Sequence, residues 1–207
     1  SATSSEVNPW ASITIEETHE KLGVPTHLPT LSVINPQLQS TISQNTLVYS
    51  AVDMMSHCLD LYLTATYLPE YTAGYIENIM KTIIRTTNIL LKNPGDYEAR
   101  SEFAWAAVQI PGAISGVEGN RYDLHVIEHS MSALYDIPHG AGLAVIFPAW
   151  MNWQMPTNRT RYERFARNVY DLQTAEEGIQ TFTNWMSGIG APVKLEDVNI
   201  SRTDIEK

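Results

Sequence analysis

Asp53 and His57 stand four residues apart in Val52-Asp53-Met54-Met55-Ser56-His57. On a helix that spacing is about one turn, so the carboxylate and the imidazole share a face and can reach one ion. Alone, such a pair is commonly a surface or capping interaction. A second cluster gives it weight. His125, His129 and His139 are three of the six histidines and fall within fifteen residues, with His129 four positions and His139 fourteen positions beyond His125. Val126, Ile127, Met131, Ala133 and Leu134 around them predict a partly buried helix. Several imidazoles in an apolar setting cost free energy unless something satisfies them, and a metal ion is the simplest satisfier.

These side chains need helices to carry them, and the pattern from Ile42 onward is helical. Ile76, Ile79, Met80, Ile83, Ile84, Thr87, Leu90 and Leu91 recur at i, i+3, i+4 and i+7, a core-facing stripe stopped by Asn93-Pro94-Gly95. Further helices are predicted over residues 96–110, 123–134, 141–155, 157–170 and 175–189, punctuated by Pro111-Gly112, Pro138, Pro156 and Gly190 with Pro192. Residues 1–36 read differently, as β-prone pieces at 12–15 and 31–34 separated by the polar stretch 16–21 and by Pro25 and Pro29. Two such strands do not make a stable sheet alone, so their partners are expected elsewhere. The expected organisation is mainly α: a β-prone remnant over 1–36 and a helical metal-binding domain over 37–207.

Composition narrows the function. The chain has 207 residues, 43 % hydrophobic and 17 % charged, within the range of an ordinary globular protein, and no run of about 18 apolar residues that a membrane span requires. A net charge of −10 opposes binding to a phosphate backbone, which relies on clustered Lys and Arg. Nucleic acid and membrane are therefore not expected partners. Cys58 is the single cysteine, which excludes an internal disulfide, and the first residues lack the features of a secretory signal, so a reducing, cytoplasmic setting is expected. The N-x-[ST] triplets at Asn158 and Asn199 then read as chance. Ser1-Ala2 is compatible with a cloning scar, which would mean the natural chain begins earlier.

Asp53 with His57, and then His125-x3-His129-x9-His139-Gly140, resemble the metal-ligand pattern of the iron-containing (group III) alcohol dehydrogenases, most closely the butanol dehydrogenase and aldehyde reductase branch. The stretches Asp96-Tyr97-Glu98-Ala99-Arg100, Ala104-Trp105-Ala106-Ala107 and Glu128-His129-x3-Ala133-Leu134-Tyr135-Asp136 are similar to that branch as well. Ala2-Thr3-Ser4-Ser5-Glu6 resembles the family's A-T-G-S-E segment near the nicotinamide, departing at Ser4, where glycine gives the backbone its closest approach. The resemblance runs from Ala2 to about Ile200. It implies the helical metal-binding domain of the dehydroquinate synthase-like fold, with Asp53, His57, His125 and His139 as ligands of Fe(II), Zn(II) or another divalent ion. It implies that His129 lines the substrate pocket without binding metal, and that Thr3, Ser5 and Lys21 lie near the NAD(P) cofactor. His19 and His27 match no ligand position. The implied reaction is hydride transfer between NAD(P)(H) and a small alcohol or aldehyde, the ion acting as Lewis acid.

The family's Gly-rich dinucleotide-binding segment has no counterpart in these residues, so they are expected to be inactive alone, and a family member would continue for several helices beyond Lys207. The orphaned apolar strand at 31–34 is expected to be covered, by pairing with another copy in a homodimer or by folding back over the helical body. A helical metal-dependent phosphohydrolase would also cluster His and Asp, but it would carry an adjacent His-Asp pair, which is missing, and more cations near the cluster than Arg121. A non-enzymatic metal-binding module is the remaining alternative.

Overall fold

The computed structural model describes Thr3, residues 5–18 and 20–201, and Asp204; Ala2, Ser4 and His19, singled out in the sequence, lie outside the described residues. Two strands and seven α-helices follow one another among the described residues: β1 (Trp10–Ile15), β2 (Glu20–Pro25), α1 (Gln44–Thr64), α2 (Glu70–Lys92), α3 (Tyr97–Gln109), α4 (Asp123–Tyr135), α5 (His139–Gln154), α6 (Arg159–Tyr170) and α7 (Ala175–Gly188).

Helix α1 is the axis of the body. Its start is fixed by Ser43, whose hydroxyl accepts from the Thr46 N–H. Beyond that it is apolar on nearly every side, with Met54, Met55, Leu59, Tyr62 and Leu63 fully buried. It packs against α2, α4, α5 and α6. Outside it, α2 and α3 pair, with Asp96 capping α3 through the Ala99 N–H, and α6 and α7 pair, with Thr174 and Glu177 forming a capping box at α7. Glu77, on α2, ties this shell to the axis: Tyr62 on α1 donates to it at 2.6 Å, and Arg164 and Asn168 on α6 at 2.6 and 2.9 Å.

Helix α5 begins two residues earlier than the sequence pattern suggested, because Pro138 is its N-cap and His139 already takes helical geometry. Its first turn lies hard against α1. A Cβ on Gly140 would stand 2.2 Å from the Tyr49 carbonyl oxygen, so glycine is what permits this approach, and Tyr49 lies one turn before Asp53.

One reading of the sequence is corrected. Residues 31–34 form no strand; Leu31 and Val33 are 80 % and 85 % exposed on an irregular segment. The strand that pairs antiparallel with β1 is β2, which takes in the end of the polar stretch, with Ile13 opposite Leu22 and Thr14 opposite Lys21. β-propensity is local and cannot choose the partner. Here the second strand returns directly after the turn at 16–18, and its Lys21 ammonium donates to Ser132 on α4 at 3.1 Å, docking the hairpin on the helical body. Helix α4 is partly buried, as its sequence pattern indicates, but Val126, Ile127 and Leu134 are themselves 67 %, 49 % and 68 % exposed. The buried face of α4 is instead Leu124, His125, Glu128 and Ser132, so its polar side points inward.

Candidate metal centre

The inward polar face of α4 meets α1 and the start of α5, and there four side chains converge. Asp53 Oδ1 is the shared point: His57 Nε2 lies 3.5 Å from it, His139 Nε2 3.6 Å and His125 Nε2 3.7 Å. Three helices supply them. Helix α1 brings Asp53 and His57 on one face, α4 brings His125, and Pro138 with Gly140 aims His139 from the first turn of α5. The distances are too long for good hydrogen bonds. They lie near the separation, about 3.3–3.6 Å, of two ligand atoms of one tetrahedral metal at about 2.0–2.2 Å; the donor atoms of Asp53, His57 and His125 are all within 4.8 Å of one another, while His139, close to Asp53, groups with Glu128 and His129. Asp53 Oδ1 is buried and has no hydrogen-bond partner among the described residues, an expensive state for a carboxylate that a cation relieves.

Titration behaviour follows from this crowding. Burial works against the Asp53 anion, but the surrounding imidazoles outweigh it and hold the carboxyl down at about 2. Burial presses His57 down to about 4 against the opposing pull of Asp53. For His125 burial is overcome by the carboxylates of Asp53 and Asp60 on its two sides, which raise it to about 9. His129 is lowered to about 4 by burial and by repulsion from His139 and Lys21, so it is neutral at pH 7.

His129 stands beside the four rather than among them. Its ring centroid lies 5.4 Å from that of His139 and 6.3 Å from that of His125, and with Glu128 and His139 it forms a second group of donor atoms within 4.8 Å of one another. Lys21 reaches the same neighbourhood through Ser132, one turn beyond His129 on α4. Thr3 is half-buried, and Ser5 is exposed at the start of a 3-10 turn (Ser5–Val7) ahead of the hairpin. His27 is exposed on the segment after β2.

Two carboxylates that the spacing argument passed over complete the surroundings. Asp60 accepts from His125 Nδ1–H at 2.7 Å, and Glu128 accepts from His139 Nδ1–H; both carboxylates are fully buried. Asp60 was legible in principle, as a lone acid in the apolar run Cys58-Leu59-Asp60-Leu61-Tyr62-Leu63, seven residues and two turns beyond Asp53. Tyr122, just before α4, sets its ring edge-on to His57 and His125 at 6.2 and 5.7 Å.

Known proteins share this arrangement of elements. A solved structure of NADH-dependent butanol dehydrogenase A from Thermotoga maritima superposes with a TM-score of 0.95 at 41 % identity, covering 100 % of this chain and 54 % of that one. An NADH-dependent butanol dehydrogenase A of Clostridium acetobutylicum is 32 % identical, across 100 % of this chain and 56 % of its own length. The NADPH-dependent aldehyde reductase YqhD of Escherichia coli is 25 % identical, across 99 % and 55 %. The chain thus spans about half the length of the relatives it matches. Residues 47–207 match the C-terminal part of the Fe-containing alcohol dehydrogenase family, and the chain belongs to that family.

Proposed function

We propose that Asp53, His57, His125 and His139 hold one divalent cation, and that these residues form the metal-binding half of an NAD(P)-dependent alcohol dehydrogenase or aldehyde reductase acting on a small alcohol or aldehyde. The observation that carries this reading is the buried, unpartnered Asp53 Oδ1 with three imidazole Nε2 atoms 3.5–3.7 Å away. Iron is favoured by the family; zinc or another first-row ion fits the same donors. The bound ion supplies a Lewis acid that polarises a carbonyl oxygen or makes an alcohol easier to deprotonate.

The chain's own residues do the rest. His129, neutral at pH 7, is placed to take or pass a proton at the edge of the cluster. Lys21, held by Ser132, offers an ammonium beside it for the ribose of the cofactor, and Thr3 with Ser5 would approach the nicotinamide from the start of the hairpin. On this reading residues 1–36 are the portion that packs with a nucleotide-binding domain, and 37–207 the metal-binding domain. No Gly-rich dinucleotide motif occurs within the 207 residues, so alone they should not oxidise NAD(P)H.

We also propose a homodimer, supported by Leu28, Leu31 and Val33 at 60 %, 80 % and 85 % exposure on one segment, and a cytoplasmic setting, supported by the lone buried thiol of Cys58. Among the described residues no helix is long and apolar enough to cross a membrane.

The test has two arms. Purified protein equilibrated with Fe(II) or Zn(II) should retain one ion per chain, lost in Asp53→Asn and His139→Ala; equal retention by the variants would remove the metal assignment. Joined to the part of the Clostridium relative that it does not match, the chain should oxidise NADH with butyraldehyde, while the 207 residues alone should not. Turnover by the 207 residues alone would refute the two-part reading. Light scattering of Val33→Lys, expected to be monomeric beside a dimeric wild type, tests the self-association.

A further inference from the structure

We propose that Asp60 and Glu128 are positioning residues of the metal centre, each gripping one ligand imidazole by its Nδ1 hydrogen so that Nε2 faces the ion. The inference rests on the metal reading above and concerns what makes the ligand set rigid. A carboxylate only accepts hydrogen bonds, so an imidazole whose Nδ1 faces it carries its hydrogen there and keeps the Nε2 lone pair free. This holds at two of the three imidazoles: Asp60 Oδ2 faces His125 Nδ1, and Glu128 Oε2 faces His139 Nδ1. In both rings the opposite nitrogen, Nε2, is the one that looks toward Asp53 Oδ1.

The two grips also join helices. Asp60 on α1 holds His125 on α4, and Glu128 on α4 holds His139 on α5, so the helices that bring the ligands together are cross-tied next to the ligands themselves. His57 shares α1 with Asp53 and needs no such tie. Space for the second grip is made by Gly142, where a Cβ would stand 2.6 Å from Glu128 Oε1. Outer partners of this kind commonly contribute about 10–100-fold to metal affinity.

The two carboxylates differ in a way that separates positioning from bulk. Asp60 uses both oxygens, Oδ2 for His125 and Oδ1 for the Leu124 N–H at 3.4 Å. An asparagine there has one accepting oxygen for two donors. Its NH2 group must then face the backbone N–H or turn His125 to the tautomer that loses the Nε2 lone pair. Glu128 uses Oε2 alone, and its buried Oε1 has no partner among the described residues. A glutamine can therefore keep its oxygen on His139 and place its NH2 where Oε1 now lies, breaking no hydrogen bond that the carboxylate makes. Asp60→Asn should disturb the site more than Glu128→Gln, although both remove one charge and no atoms.

The experiment measures Zn2+ affinity by chelator competition for wild type, Asp60→Asn, Glu128→Gln and Glu128→Leu, with thermal unfolding of each metal-free protein as a check on folding. 15N NMR of the histidine rings in the Zn2+-loaded forms reads the tautomers directly. Expected are Nδ1–H tautomers at His125 and His139 in wild type, a dissociation constant raised about 10–100-fold in Asp60→Asn and Glu128→Leu, and less than about tenfold in Glu128→Gln with its tautomer kept. If Asp60→Asn does not fold, the contrast of Glu128→Gln with Glu128→Leu decides. Folded variants that all bind within threefold of wild type, or Nε2–H tautomers in the loaded wild type, would overturn the positioning role while leaving the metal site standing. A folded wild type that binds no Zn2+ would overturn the metal reading and this inference together.

Discussion

Gly140→Ala should damage the metal centre without touching a ligand. Gly140 is the second residue of α5, and in an ordinary helix position exchange of glycine for alanine stabilises by about 0.5–1 kcal/mol. Here the added methyl would lie 2.2 Å from the Tyr49 carbonyl oxygen, 2.7 Å from its carbon and 2.8 Å from its Cα, all of them α1 backbone. Ordinary carbon–oxygen contact lies roughly 1 Å further out, so the start of α5 must retreat by about that much. His139 Nε2, 3.6 Å from Asp53 Oδ1, then moves to about 4.5 Å. Two atoms bound to one ion about 2.1 Å away cannot stand more than about 4.2 Å apart, so one ligand is lost. The expected drop in Zn2+ affinity is at least about 100-fold, beyond what an outer partner contributes.

A control isolates the clash. Gly74 is exposed on α2 and a Cβ there meets nothing within 4 Å, so Gly74→Ala should raise stability by about 0.5–1 kcal/mol and leave metal binding alone. Overpacking at Gly140 costs about 1–3 kcal/mol, which separates the two alanine variants in Tm by roughly 3–10 °C. Chelator competition and calorimetry read both quantities. A Gly140→Ala protein that binds Zn2+ within threefold of wild type and melts like Gly74→Ala would refute the claim that this helix contact aims His139.

Two further outcomes follow from the charges. For the metal-free protein, His57 and His129 have folded pKa values depressed to about 4, so the stability present above pH 6.5 is lost as pH falls toward 4; His125 is raised to about 9, so its contribution is complete below pH 6.5 and lost as pH rises through 9. Between pH 4 and 9 the melting temperature should therefore peak near pH 6.5, and Zn2+ should erase the alkaline limb; a metal-free profile rising steadily from pH 6.5 to 9 would contradict the assignment. Away from the site, Glu77→Leu removes the acceptor of Tyr62 and Asn168 and one of the two carboxylates that hold Arg164, Glu70 remaining, and should cost about 1–3 kcal/mol in urea unfolding while Zn2+ affinity of the folded protein stays within threefold; stability equal to wild type would show that the junction of α1, α2 and α6 does not depend on this carboxylate.

The helices were legible because their stops are chemical: Asn93-Pro94-Gly95, Pro111 and Pro138 interrupt apolar periodicity wherever they fall. The one-turn spacing of Asp53 and His57 survives folding for the same reason, being a property of α1 alone. What spacing did not supply was the meeting of α1, α4 and α5, which depends on the absence of a side chain at Gly140 and on the direction α4 faces. That α4 is partly buried was legible from its apolar residues, but not which of its faces turns inward. Its polar residues hold the interior, and Val126, Ile127 and Leu134 are left outside. Residues 31–34 misled, since β-branched composition describes a strand that fits a pleated surface without saying where that surface is.

Helix α4's inversion has an energetic consequence. Turning His125 and Glu128 inward, beside Asp53 and Asp60, places three buried carboxylates within the reach of a few imidazoles. Burial alone would push such acids toward protonation, as it does for Asp60, whose carboxyl is raised, and the arrangement persists only if positive charge is supplied close by. Protonated histidine can supply one charge, on His125, but at the expense of the Nε2 lone pair that faces Asp53. A divalent ion supplies two and leaves every Nε2 free to bind. On the proposed reading the fold favours the cation state over the protonated state, and metal should stabilise it by mass action, about 2.7 kcal/mol at a hundredfold excess over the dissociation constant. Occupancy and the docking of α4 and α5 onto α1 are in that sense one equilibrium. A ligand exchange that weakens the ion should loosen the same three helices, while changes at the Glu77 junction should not.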